Sequence, residues 1–167
     1  HHLLSRFMRC KRSPKSFNTD VGVPLTIFQA EPEDRALIVE MGANAPGEIA
    51  TIAAIAEPNI GIITCIAESH LEGFGSLEGV ARAKAELIEA LPQQGLAVLN
   101  ADDPQFDFLA GRSAAPVLGF GFSARSLFRA TDLDMRGDGC AFSLRGRLRV
   151  ELSAPGLHNA MNALAAL

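Results

Sequence analysis

Several functional classes are argued against by what this sequence lacks. Its three cysteines, Cys10, Cys65 and Cys140, form no CxxC pair and no Cys/His metal spacing, which argues against a zinc site. An odd cysteine count without a secretory signal points to a reducing, cytoplasmic setting. No apolar stretch approaches the roughly 20 residues that a membrane-spanning helix needs. Basic residues are not in excess: 15 Lys and Arg stand against 19 Asp and Glu, a formal net charge of −4. A nucleic-acid partner is therefore not expected. GxxxxGK[ST], the loop that cradles phosphates in many nucleotide-hydrolysing domains, occurs nowhere. His1 and His2 resemble the remnant of a tag and are assigned no function.

The 167 residues suit one domain, and 48% of them are hydrophobic, enough for a sizeable core. Short apolar runs alternate with helical patterns. Ala36–Met41, Asn59–Ile66, Leu96–Leu99 and Val117–Phe120 read as strands buried on both faces of a parallel sheet. Cys65, inside the run Ile60–Ala67, is expected to be a small core residue. Helices are expected over Glu48–Ala56 and Ser76–Ala90. Ser76 would cap the second, whose apolar stripe is Val80, Leu87 and Ile88. After about residue 125 the pattern changes. Leu127–Leu133 and Cys140–Val150, separated by Gly137–Asp138–Gly139, read as a β-hairpin or small antiparallel sheet. A last helix starts near His158. The expected fold is α/β: a mostly parallel, doubly wound sheet with a small antiparallel element near the C-terminal end.

In such sheets ligands gather at the carboxyl ends of the strands. Glu40 follows the first strand, His70 lies in the loop Glu68–Ser76 after the second, and Asn100, Asp102 and Asp103 follow the third. Carboxylate, imidazole and glycine in these loops suit a divalent metal beside phosphate. Each residue alone has a plainer reading: a solvated acid, a structural histidine, or, for Lys84, a surface lysine paired with Glu78 or Glu89. Asn159 and Asn162 share a helical face and could read a base edge through paired amides; Asn159 also suits helix capping.

Five strings, in order, resemble the Mur ligase family. They are SFNTDVGVPLT (Ser16–Thr26), VEMGAN (Val39–Asn44), SHLEGFGSLEGVARAKAEL (Ser69–Leu87), LNADDP (Leu99–Pro104) and PGLHNAMNALAA (Pro155–Ala166). NTDVGVPLT and HLEGFGS look most like the D-alanyl-D-alanine-adding members. The resemblance implies a central, ATP-binding domain of the P-loop type and a cytoplasmic role in peptidoglycan synthesis. The activity implied is an amide ligase that activates a substrate carboxylate as an acyl phosphate. Its acceptor would be UDP-N-acetylmuramoyl-tripeptide and its amine D-alanyl-D-alanine.

By the same resemblance, Glu40 and His70 hold magnesium, and Lys84 is a carbamylated lysine supporting a second ion. Asn159 and Asn162 contact adenine with His158 beside them, and Asn18 faces the substrate side. Because His1–Lys15 contain no glycine, the 167 residues are expected to be this one domain without its phosphate loop, inactive alone, weak in ATP binding and prone to self-association. Competing expectations are another Mur-type ligase, a folylpolyglutamate synthase-like ligase, and a ligase-derived binding module without catalysis.

Overall fold

The computed structural model describes the whole chain except Ser69 and His70, and except the side chains of Leu71 and Glu72. Its residues group into two compact units, His1–Pro58 with Ala67–Leu91, and Asn59–Ile66 with Pro92–Leu167.

In the first unit, β1 (Cys10–Arg12) pairs in parallel with β2 (Ala36–Ile38), Cys10 opposite Ala36 and Arg12 opposite Ile38. The ends of this pair are fastened by charge: Arg9 Nε donates to Asp34 Oδ1 at 3.0 Å, and Lys11 lies 3.1 Å from Glu31. Between the strands runs α1 (Gly22–Ile27). Helices α2 (Glu48–Ala56) and α4 (Leu77–Glu89) pack together, with the short α3 (Leu71–Phe74) ahead of α4. Buried residues include Ile49, Ile52 and Ala53 of α2, and Val80, Ala81, Ala83, Ala85 and Ile88 of α4. As the sequence suggests, Ser76 caps α4, its Oγ accepting from Gly79 N at 3.1 Å. Leu87 is only half-buried.

The second unit is a six-stranded sheet in the order β3 to β8. β3 (Ile60–Ile63), β4 (Leu96–Asn100), β5 (Val117–Gly121) and β6 (Phe128–Met135) are parallel neighbours. β7 (Cys140–Leu144) and β8 (Leu148–Leu152) continue antiparallel. Helix α5 (Phe106–Ala110) follows β4, and α6 (Leu157–Ala166) packs on β4, β5 and β7. The core between α6 and the sheet holds Phe120, Ala130, Phe142, Ala160 and Leu164, each almost fully buried. Phe142 meets Phe122 edge-on, with ring centroids 6.1 Å apart.

The mixed α/β fold and the antiparallel C-terminal element match the sequence reading, but the strands divide between two sheets. Three details differ. Cys140–Val150 is two strands, because Arg145 and Gly146 both take positive φ (50° and 64°) and turn the chain. The turn is closed by Arg147 N, which donates to Leu144 O at 3.0 Å. β4 is buried on both faces, but in β3 only Gly61 and Ile63 are buried, while Ile60 and Ile62 are exposed. β3 is one of the sheet's two edge strands and is covered on one face. Cys65 is exposed, not a core residue: pairing ends at Ile63, and Ile66 turns inward in its place.

Phe142→Ala is expected to destabilise the second unit by about 3–5 kcal/mol through a cavity that α6 cannot collapse into. A chemical-denaturation midpoint unchanged from the parent would contradict this account of the core.

Candidate functional site

Glu40 lies two residues past the end of β2 and is exposed. Its backbone N donates to Ser13 Oγ at 3.3 Å, and Ser13 N in turn donates to Ile38 O. The carboxylate is aimed by Asn18, whose Nδ2 donates to Oε1 at 3.0 Å. Asn18 is itself held, since its carbonyl accepts from Gly42 N at 2.9 Å. A Cβ on Gly42 would lie 2.7 Å from Asn18 Nδ2, so only glycine leaves the amide room to reach Glu40. The arrangement presents an exposed carboxylate with one oxygen held by an amide.

Beside it is a cleft of about 350 Å³, lined by Asn18, Thr19, Asp20, Gly42, Asn44 and Glu48 among others. Its wall is fixed to α2: Asn44 N donates to Glu48 Oε2 at 2.8 Å, and Thr51 Oγ1 to Gly47 O at 3.0 Å. Lys84 sits half-buried on α4 in the same unit. His70 lies outside the described residues.

In the second unit, the acids after β4 serve the backbone. Asp103, 8% exposed, accepts from Ile66 N at 2.7 Å and Gln105 N at 2.8 Å. Asp102 accepts from Phe122 N at 2.7 Å and Ser123 N at 2.9 Å. Asn100 donates to Thr64 O at 2.9 Å and accepts from Asp102 N. Both oxygens of each carboxylate are therefore engaged, which leaves the trio as loop clamps where the sequence allowed a metal site. Asn159 and Asn162 lie on α6, the first half-buried and the second exposed beside an exposed His158. Asn159 does not cap α6: the N-cap is Gly156, and Asn159 Nδ2 donates back to Pro155 O at 2.7 Å. That fixes the amide and leaves its oxygen and the Asn162 amide available to a planar ligand.

Among the described residues no three His, Cys, Asp or Glu converge as a metal cage. Magnesium does not require one, being held commonly by one or two carboxylates, waters and substrate phosphates. An exposed carboxylate pre-aimed by an amide fits that role.

The family model for the Mur ligase middle domain matches residues 2–167. This chain belongs to the Mur ligase middle-domain family. Among its relatives, the UDP-N-acetylmuramoyl-tripeptide–D-alanyl-D-alanine ligase of Escherichia coli is 41% identical over 161 residues, covering 90% of this chain and 34% of that protein. The Bacillus subtilis enzyme of the same name is 31% identical, covering 100% and 36%. Among solved structures, MurF from Acinetobacter baumannii superposes with a TM-score of 0.92 at 28% identity, over 98% of this chain and 37% of that one. MurF ligase from Thermotoga maritima in complex with ADP gives 0.86 at 25% identity, over 99% and 39%. The chain thus spans about a third of the length of the relatives it matches. No helix among the described residues is long and apolar enough to cross a membrane.

Within this Mur ligase middle domain, sequence reasoning picked out Glu40 and Asn18, which the structure joins directly. It passed over Ser13, which holds the Glu40 backbone, and Glu86, whose carboxylate accepts from Gly47 N and Ala50 N at 2.7 and 2.9 Å. A glycine as the N-cap of α2, lacking any side chain, was the signal that another residue must supply the cap.

Gly42→Ala is expected to leave the melting temperature within a few degrees, because the Asn18 amide can swing away. It should also move the Asn18 side-chain NH₂ resonances by breaking the bond to Glu40. Unshifted Asn18 resonances in a folded variant would refute the geometry given for this site.

Proposed function

We propose that the chain is the nucleotide-handling middle domain of a ligase that joins D-alanyl-D-alanine to UDP-N-acetylmuramoyl-tripeptide. The observation that carries this is the 41% identity to the Escherichia coli ligase of that name. The Asn18–Glu40 pair supplies the matching chemistry. Formation of the amide requires an activated carboxylate, which the family resemblance casts as an acyl phosphate made from ATP.

Each residue has a stated part in this reading. Asn18 orients Glu40, and Glu40 holds magnesium together with His70. Bound there, magnesium offsets phosphate charge. Lys84, carbamylated, adds a carboxylate on α4; carbamylation turns a cation into a metal-compatible anion. On α6, the Asn159 and Asn162 amides present donor and acceptor groups to the adenine edge, with His158 alongside. The bond from Asn159 to Pro155 supports this, since a held amide costs little further entropy to bind. Asn18 and the cleft beside it face the acceptor substrate.

The adenine part is tested by titrating magnesium-ADP into this chain and following amide resonances. Shifts at residues 156–163 that vanish in the Asn159→Ala/Asn162→Ala variant are expected. If those resonances stay still at saturating nucleotide while others move, the adenine assignment is wrong.

The substrate part is tested by exchanging this chain for the matching third of the Escherichia coli ligase. Phosphate release that needs both D-alanyl-D-alanine and the tripeptide precursor is expected. A chimera that folds and binds nucleotide but releases no phosphate would overturn the proposal.

A further inference from the structure

Glu86 sits on α4 two residues after Lys84, and nothing in the proposed chemistry uses it. Its Oε1 accepts from Gly47 N at 2.7 Å and its Oε2 from Ala50 N at 2.9 Å. These are the N–H groups of the N-cap and of the third residue of α2, whose N-cap, Gly47, makes no side-chain cap. A carboxylate there meets both the orphan donors and the positive end of the helix dipole. The cap is tertiary, because 39 residues separate Glu86 from Gly47.

The segment that enters α2 is also the wall of the cleft. From Glu40 it runs through Gly42, whose N–H is bound by Asn18 O, to Asn44, whose N–H is bound by Glu48. It ends at Gly47, bound by Glu86. A second contact presses it from α3: a Cβ on Gly73 would lie 1.8 Å from Asn44 O, so backbone meets backbone there. Of these contacts, the Glu86 bonds tie the wall to the helix that carries Lys84.

We infer that Glu86 is a positioning residue: it locks the wall running from Glu40 to Gly47 to α4, so that Glu40 and Lys84 keep one fixed spacing. The functional part of this rests on the ligase reading above; the mechanical part does not. Glu86 touches no reacting group and acts through the wall. A residue that only capped α2 would stabilise the helix without reaching the Glu40 end of the segment.

The test is amide hydrogen exchange on this chain, parent against Glu86→Ala, with Ile88→Val as a variant that weakens α4 packing from the core side. Glu86→Ala is expected to speed exchange on the order of tenfold at Gly42 and Asn44 as well as at Gly47 and Ala50, with the α4 interior less affected. Ile88→Val should not reproduce that pattern. Acceleration confined to Gly47 and Ala50, or equal acceleration at Gly42 and Asn44 in Ile88→Val, would overturn the inference.

Magnesium titrated into the same samples, read at the Gly42 and Asn18 resonances, should bind several-fold more weakly to Glu86→Ala, short of the roughly tenfold or more lost with a group bonded to the ligand itself. Equal magnesium affinity in parent and Glu86→Ala would also overturn it. No magnesium response in the parent would remove the ligase reading of Glu40, while the exchange pattern would still decide the role of Glu86.

Discussion

Backbone N–H groups left over at strand ends and helix starts govern the loops of this domain. Where a parallel strand stops or a helix begins, donors point into space with no ladder partner, and leaving one buried costs about as much as a lost hydrogen bond. Here carboxylates meet that need in pairs. Asp103 takes Ile66 N and Gln105 N, Asp102 takes Phe122 N and Ser123 N, and Glu86 takes Gly47 N and Ala50 N. Among the described residues no buried side-chain polar atom lacks a partner. Loops that would otherwise sample many conformations are fixed by acceptors reaching in from elsewhere in the chain.

That constraint also sorts the acids. A carboxylate with both oxygens on backbone donors is held in place by structure and has fewer lone pairs left for a further partner. Glu40 differs. It lies at a strand end like the others, but it receives one amide, on one oxygen, and remains exposed. The useful distinction is therefore the number of backbone donors each acid already serves. By that measure Glu40 is the freest of these acids, and Asp102 and Asp103 are the most engaged.

Much of this was legible in the sequence. Helix α4 announces itself through Ser76 and its apolar spacing, and the hairpin through Gly137–Asp138–Gly139. The ordered strings resembling Mur ligases located Asn18, Glu40 and the two asparagines of α6. The uncovered face was hidden: Ile60 and Ile62 look like core residues in a run of apolar letters, and only the alternating burial along β3 shows that one of its faces is exposed. Tertiary capping was hidden too. A glycine before α2 says that a cap is needed, but not that a residue far along the chain provides it. Asn159 misled in the opposite direction, because a residue type favoured at helix starts here sits inside the first turn and bonds backwards to Pro155.

The two kinds of position also respond differently to change. Core sites such as Ile52 or Leu164 need an apolar side chain of about the right volume, and volume-conserving swaps are tolerated best. Asp103 and Glu86 have no such latitude. Replacing either by its amide keeps the shape but turns one acceptor into a donor facing an N–H group, so the amide can serve only one of the two donors. A carboxylate shortened or lengthened by one methylene keeps both acceptors but misplaces them by more than a hydrogen bond tolerates. Asp103 and Glu86 thus keep their places through the polarity of the backbone they hold, each within its own unit.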